Sequence, residues 1–180
     1  SQSGGPWVKP EEAMRYLTSS QALVTGAQKV NIKLEQPTKD FQHVRTIAYP
    51  APKGMTEGVK TADMKVTLPK GVKTLAELKG GESNEIVLSL AGQPITARSL
   101  TIYPSRKPIL TTAHLLAKVD GEFKTIAEFK IDRSNENLNV GFTPYAPITV
   151  ALPATTASEF RLVMDATSQA GGIEDIELSP

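Results

Sequence analysis

The stretch Leu115–Ile131, LLAKVDGEFKTIAEFKI, decides the fold class of this chain. Apolar and polar residues alternate before Asp120-Gly121, and this dipeptide is a preferred two-residue turn of a β-hairpin. The alternation resumes after the turn. The predicted return strand carries Phe123, Thr125, Ala127, Phe129 and Ile131 on one face. The sequence therefore predicts two antiparallel strands joined by a tight turn.

The same period of two recurs along most of the chain. Further strands are predicted over Val30–Leu34, Phe41–Tyr49, Met64–Leu68, Ile86–Leu90, Leu100–Ile102, Ile148–Leu152, Phe160–Met164 and Ile176–Leu178. A short helix is predicted over Pro10–Leu17, since proline suits a first helical turn and two glutamates follow it. Helical runs between the strands are missing, which argues against βαβ units. The predicted fold is all-β, an antiparallel β-sandwich or jelly roll with one short N-terminal helix.

Turn residues divide the chain into three predicted parts. Pro50-Ala51-Pro52-Lys53-Gly54 closes the first part sharply. Residues 1–52 are predicted to be an N-terminal arm with the short helix and strands, 53–62 a polar linker, and 63–180 the β-sandwich.

Composition excludes several classes of partner and chemistry. The 180 residues contain 20 basic and 19 acidic side chains, so no electrostatic case exists for nucleic acid or an anionic membrane. There are no cysteines, which excludes disulfides, thiolate metal sites and a cysteine nucleophile. No apolar run approaches the roughly 18–20 residues that a membrane helix needs.

A search for catalytic and metal-binding motifs predicts neither in this chain. There is no phosphate-binding glycine loop and no G-x-S-x-G elbow. His43 and His114 lack a second ligand at metal-binding spacing. The sequence leaves open one catalytic alternative, an enzyme that uses Glu174 or Asp175.

One oxygen-rich stretch has two possible interpretations, a calcium site or a solvated loop. Its polar members are Asp132, Asn135, Glu136, Asn137 and Asn139. Such oxygens suit a structural Ca²⁺, although the spacing is not that of an EF-hand. Asparagine is equally typical of solvated turns. No other cofactor is expected.

Two aromatic loops are the candidate binding elements. Tyr103 and Arg106 belong to Tyr103–Pro108, and Tyr145 belongs to Phe142–Pro147. An aromatic ring beside hydrogen-bonding side chains is typical of a sugar site, and binding groups concentrate in loops. Tyr103, Arg106 and Tyr145 are therefore the predicted carbohydrate-binding residues. The alternative is that these aromatic side chains cap the ends of the sandwich.

The segment Gly4–Met14, GGPWVKPEEAM, contains the only tryptophan, Trp7. It resembles a segment of the bacterial α-L-rhamnosidases of glycoside hydrolase family 106, and Phe41–Pro52 resembles the segment that follows it there. The remainder resembles a galactose-binding-like jelly roll. Its matching parts are Ala97–Ile102, Asp120–Ile126, Phe160–Met164 and Gly172–Leu178.

The resemblance implies a non-catalytic β-sandwich domain of a larger polysaccharide-degrading glycosidase, with structural support and carbohydrate contact as its roles. No position here matches the family's catalytic acid or base. The implied partners are the catalytic barrel of the parent enzyme and an oligosaccharide, in a periplasmic or extracellular setting. Trp7 would lie near that barrel, or alternatively under its own helix. An independent carbohydrate-binding module is the alternative function.

Overall fold

The computed structural model describes residues 17, 22–26, 29–33, 39, 41–51, 57–134, 145–167 and 169–180. The chain divides into two compact units, Ser1–Pro52 and Lys53–Pro180. The described strands all belong to the second unit, which is an antiparallel β-sandwich.

The strands are numbered β1 to β9 in chain order. Their bounds are β1 Val59–Lys60, β2 Lys65–Thr67, β3 Asn84–Ser89, β4 Ile95–Pro104, β5 Ile109–Val119, β6 Glu122–Arg133, β7 Ile148–Ala157, β8 Glu159–Met164 and β9 Ile173–Ser179. A single 3-10 turn, Thr61–Asp63, lies between β1 and β2. The all-β antiparallel fold class predicted from the alternating pattern is confirmed.

Two sheets face each other across one core. The four-stranded sheet has the order β1-β9-β4-β7, and the five-stranded sheet has the order β2-β3-β8-β5-β6. Alternate residues of each strand point inward, as the period of two requires. Leu100 and Ile176 of the first sheet join Ile86, Leu115 and Phe160 of the second in a single buried cluster.

The β5–β6 hairpin forms at the predicted turn. Asp120 and Gly121 have φ angles of 55° and 85°, the positive values that a tight hairpin turn of this kind needs. One detail of the prediction is wrong. A β-bulge at Leu115/Leu116 inserts an extra residue in β6, so Phe123 lies on the opposite face from Ile131.

The strands predicted before residue 52 are not observed in the described residues. Residues 29–33 and 41–51 have no regular secondary structure. Val44 and Ile47 expose 76% and 69% of their surface. An alternating sequence forms a strand only when a neighbouring strand completes its backbone hydrogen bonds. The alternating pattern alone was therefore insufficient to predict strands in this part of the chain.

Two further predictions concern the start of the chain. The helix predicted over Pro10–Leu17 lies outside the described residues apart from Leu17, which is not helical there. Trp7 also lies outside them. The predicted linker 53–62 is partly structured, because Val59 pairs with Leu178 and Lys60 with Glu177 at the edge of the four-stranded sheet. None of the described residues forms a helix that is long and apolar enough to cross a membrane.

Candidate functional site

The two ends of the sandwich differ in their connections. One end has short turns at 90–94, 120–121 and 158. The other end has the connections 68–83 and 105–108, residues 134 and 145–147 beside β6 and β7, and residues 165–167 and 169–172, and we call it the loop end. The strand register places them together, because Asn84 pairs with Met164 and Ile109 with Arg133. Long loops on a rigid scaffold are where binding groups concentrate.

The three predicted carbohydrate-binding residues all belong to the loop end. Tyr103 lies near the end of β4, and Arg106 is exposed in the loop that follows. Tyr145 lies just before β7. Ile102 pairs with Ile148, so the end of β4 runs beside the start of β7. Strand pairing thus brings residues 103 and 145 to the same end of the sandwich, and Tyr145 adopts a left-handed φ of 59° there.

Tyr103 lies on the outer face of the four-stranded sheet, with its hydroxyl already engaged. The hydroxyl donates to Oε2 of Glu177 over 2.9 Å. The Lys60 ammonium lies 5.4 Å from the centre of the Tyr103 ring and 3.9 Å from Glu177. Burial, then the hydrogen bond to Glu177 and the charges of Glu177 and Asp175, raise the pKa of Tyr103 to about 12. The aromatic ring of Tyr103, rather than a free hydroxyl, is therefore the group that could contact a ligand.

Two of the three carboxylates of β9, those of Asp175 and Glu177, accept hydrogen bonds within the fold. Asp175 accepts hydrogen bonds from the backbone N–H of Thr61 at 3.2 Å and of Ile176 at 2.8 Å. The Thr61 hydroxyl also donates to Asp175. Glu177 accepts from Tyr103 and from the hydroxyl of Ser179. Glu174 is exposed where β9 is irregular opposite β4.

A glycine pair joins the loops of the loop end. Gly171 accepts from the N–H of Leu78 at 2.9 Å, and Gly172 accepts from the N–H of Ser105 at 3.0 Å. The approach is close enough to demand glycine. A Cβ on Gly172 would lie 2.3 Å from the Ala76 carbonyl oxygen and 2.5 Å from the Ser105 hydroxyl oxygen. The loops 68–83, 105–108 and 165–172 therefore share one rigid frame.

Asn84 fixes the turn that precedes β3. Its side chain is only 2% exposed. The amide oxygen accepts from the N–H of Lys79, and the amide nitrogen donates to the carbonyls of Lys79 and Glu82. Sequence reasoning did not single out Asn84, although asparagine after Gly80-Gly81 is a turn signal.

Arg133, which sequence reasoning also missed, secures the segment that carries Tyr145. Its Nε donates to the carbonyl of Ala146 at 2.8 Å, and Nη2 donates to that of Pro147 at 3.3 Å. These bonds tie the end of β6 to the start of β7. A long-range contact of this kind has no signal in the local sequence.

The oxygen-rich stretch is only partly described. Asn135, Glu136, Asn137 and Asn139 lie outside the described residues. Asp132 accepts from the hydroxyl of Ser134 at 2.8 Å. This hydrogen bond, more than the nearby Lys130, lowers the pKa of Asp132. Within the described part of the chain, no group of three or more His, Asp or Glu side chains is arranged to hold a metal ion.

Comparison with models of protein families shows the family to which this chain belongs. The family model of glycoside hydrolase family 106, described as alpha-L-rhamnosidase, matches residues 1–91. The chain belongs to this family. The match runs from the N-terminal unit through β3 of the sandwich.

One curated relative is a Formosa agariphila protein named "Putative beta-glucuronidase". This family 106 chain is 36% identical to it over 56 residues, which are 29% of the chain and 5% of the relative. The chain therefore spans only a small part of the length of the curated relative that it matches.

Several solved structures are similar to part of this chain. A family 32 carbohydrate-binding module of Clostridium perfringens NanJ, in complex with galactose, is 15% identical with a TM-score of 0.48, over 68% of this chain and 100% of that one. A chitosan-binding module of Paenibacillus sp. IK-5 is 12% identical with a TM-score of 0.47, over 66% and 96%.

Proposed function

We propose that this chain is a non-catalytic β-sandwich domain of a larger α-L-rhamnosidase-like glycoside hydrolase. Its role is to support the catalytic barrel of that enzyme and to contact carbohydrate at the loop end. The observation that carries the proposal is the family match over residues 1–91, which includes both the N-terminal unit and the first strands of the sandwich.

The placement of the carboxylates supports a role without catalysis. Glycoside hydrolysis canonically needs two carboxyl groups flanking the scissile bond. Asp175 and Glu177 instead accept hydrogen bonds from Thr61 and Tyr103 within the sandwich. A carboxylate that is committed to fold contacts is poorly placed to exchange protons with a substrate.

The loop end supports carbohydrate contact. Tyr103, Arg106 and Tyr145 come to one end of a frame whose loops are tied together through Gly171 and Gly172. A preorganised surface avoids the entropic cost of ordering loops when a ligand binds. The catalytic barrel and an oligosaccharide are the proposed partners, and a periplasmic or extracellular location follows from such a role.

Activity and binding assays separate the alternatives. The purified chain is expected to release no aryl alcohol from an aryl α-L-rhamnoside, beside an active α-L-rhamnosidase as the positive control. Turnover that Glu174→Gln abolishes would make the chain an enzyme and refute the proposal.

Calorimetric titration with L-rhamnose and rhamnose-containing oligosaccharides tests the carbohydrate contact. We expect saturable heat that Tyr145→Ala diminishes. Tight binding by the isolated chain would favour the alternative, an independent carbohydrate-binding module. The absence of binding heat from a folded sample would refute the proposed carbohydrate contact. Structural support would then be the remaining role.

A further inference from the structure

We propose that Asp120 is a site of spontaneous covalent modification, at which the chain isomerises from aspartate to isoaspartate through a cyclic succinimide. The proposal concerns the tip of the β5–β6 hairpin and does not depend on the proposed carbohydrate contact. Asp120-Gly121 is the one place in the 180-residue sequence where glycine follows an aspartate or an asparagine.

The reaction needs only these two residues and water. The backbone nitrogen of Gly121 attacks Cγ of Asp120, a carbon–nitrogen bond forms, and the hydroxyl of the carboxyl group leaves with the amide proton as water. Water then opens the resulting imide at one of its two carbonyl carbons. Opening at Cγ restores aspartate. Opening at the former backbone carbonyl leaves the main chain running through Cβ and Cγ, which is isoaspartate, and the whole sequence involves no oxidant or reductant.

The carboxyl group of Asp120 is available for this reaction. Its side chain is 87% exposed. The described partner of its carboxylate is Lys124, whose ammonium lies 3.8 Å from Oδ2, and exposed ion pairs of this kind hold a side chain only weakly. The carboxylate of Asp175, by contrast, accepts hydrogen bonds from Thr61 and Ile176 and is fixed within the fold.

The amide nitrogen of Gly121 is accessible as well. Val119 pairs with Glu122 across the turn, so the ladder closes without the Gly121 N–H. Glycine has no Cβ that would shield the nitrogen, whereas every other aspartate of the chain is followed by a residue with a side chain. A Cβ placed on Gly121 would meet no atom within 4 Å, so the surroundings leave room for the imide ring.

Isomerisation would weaken the hairpin in which it occurs. Asp120 and Gly121 have the positive φ angles of 55° and 85° that this two-residue turn requires. Isoaspartate adds one carbon atom to the main chain between them, so the turn no longer fits the pairing of Val119 with Glu122. Because turn type and loop length fix the register of a hairpin, the modified chain should be less stable than the unmodified one.

Peptide mapping of the folded 180-residue chain tests the proposal. The protein is incubated for several weeks at neutral pH and body temperature in water labelled with heavy oxygen, and trypsin then releases Val119–Lys124. Hydrolysis of the succinimide leaves one heavy oxygen atom in this peptide, and electron-transfer fragmentation distinguishes isoaspartate from aspartate. We expect isoaspartate to form at Asp120 at least about tenfold faster than at any other aspartate, which corresponds to a barrier lower by about 1.4 kcal/mol.

Two substitutions at the same position are the matched variants. D120E should form no isomer, because the longer side chain would have to close a larger ring. D120N keeps the ring size and loses ammonia instead of water, so it should isomerise faster than the wild-type chain. Asparagine tolerates the left-handed conformation of this turn as aspartate does, and melting temperatures equal to that of the wild-type chain would show that both variants are folded.

The other outcomes count against the proposal. Isoaspartate that forms in a denatured sample but not in the folded chain would show that the turn protects Asp120, and the site would be refuted. Formation no faster at Asp120 than at the other aspartates would refute it as well. The modified chain, separated by ion-exchange chromatography, should melt at a lower temperature than the unmodified chain, and equal melting temperatures would refute the weakening of the hairpin.

Discussion

Replacing Phe160 with alanine should strongly destabilise the sandwich. Phe160 lies on the inner face of β8, is 0% exposed, and pairs in register with Leu88 and Ala117. Losing the buried ring removes about 2 kcal/mol of transfer free energy. The cavity it leaves costs about as much again, so the free energy of unfolding should fall by about 4 kcal/mol.

Urea denaturation monitored by circular dichroism measures this change, with the slope of the transition as a check on two-state behaviour. Phe123→Ala is the matched control. Phe123 lies on the outer face of the same sheet, where the Arg161 guanidinium is 3.7 Å from the ring centre. Phe123→Ala should lower the free energy of unfolding by only about 1 kcal/mol. If the two variants lost equal stability, or if Phe160→Ala lost less than about 1 kcal/mol, the placement of the core would be wrong.

Three further predictions test the loop end and the outer sheet face. Gly172→Ala should lower the free energy of unfolding by about 1–3 kcal/mol, because its Cβ meets the Ala76 carbonyl oxygen, and the neighbouring Gly171→Ala, whose Cβ would lie no closer than 3.2 Å to another atom, should lower it less. Asn84→Ala should cost about 1–3 kcal/mol in the same denaturation assay, since it leaves buried backbone groups of the turn unpaired; a loss near zero would contradict this. Alkaline titration followed by phenolate absorbance should show Tyr103 ionising near pH 12, later than an ordinary tyrosine, and Glu177→Gln should move that step to lower pH.

The direction of the pH effect follows from the raised pKa of Tyr103. The folded state favours the neutral phenol, which donates to Glu177. Its contribution to stability is therefore complete below the ordinary tyrosine pKa of about 10 and is lost as the pH rises through about 12. A Tyr103→Phe variant should lack this alkaline step in a denaturation series, and an unchanged step would assign it to another group.

The sequence predicted the strands where a neighbour was available. Ile86–Leu90 and Phe160–Met164 alternate clearly, and both form central strands of the five-stranded sheet. Val30-Asn31-Ile32-Lys33 alternates as well, but residues 29–33 are not a strand in the described structure. The difference is that β-structure depends on hydrogen bonds and packing from a second strand, which no local pattern records.

The candidate site was predictable in its residue types and not in its contacts. Tyr103, Arg106 and Tyr145 could be named from their loops. The engagement of the Tyr103 hydroxyl by Glu177, 74 positions away, could not. The anchoring of the Tyr145 segment by Arg133 depends in the same way on two strands from different sheets reaching the same end.

The amino-acid sequence by itself determined the all-β class, the Asp120-Gly121 hairpin and the inward-facing residues of most strands, because alternation and turn chemistry act between near neighbours. Only the tertiary structure decided the bulge that turns Phe123 outward and the close approach at Gly172. These features depend on which distant strands become neighbours, and that choice is made by burial of the whole core rather than by any single segment.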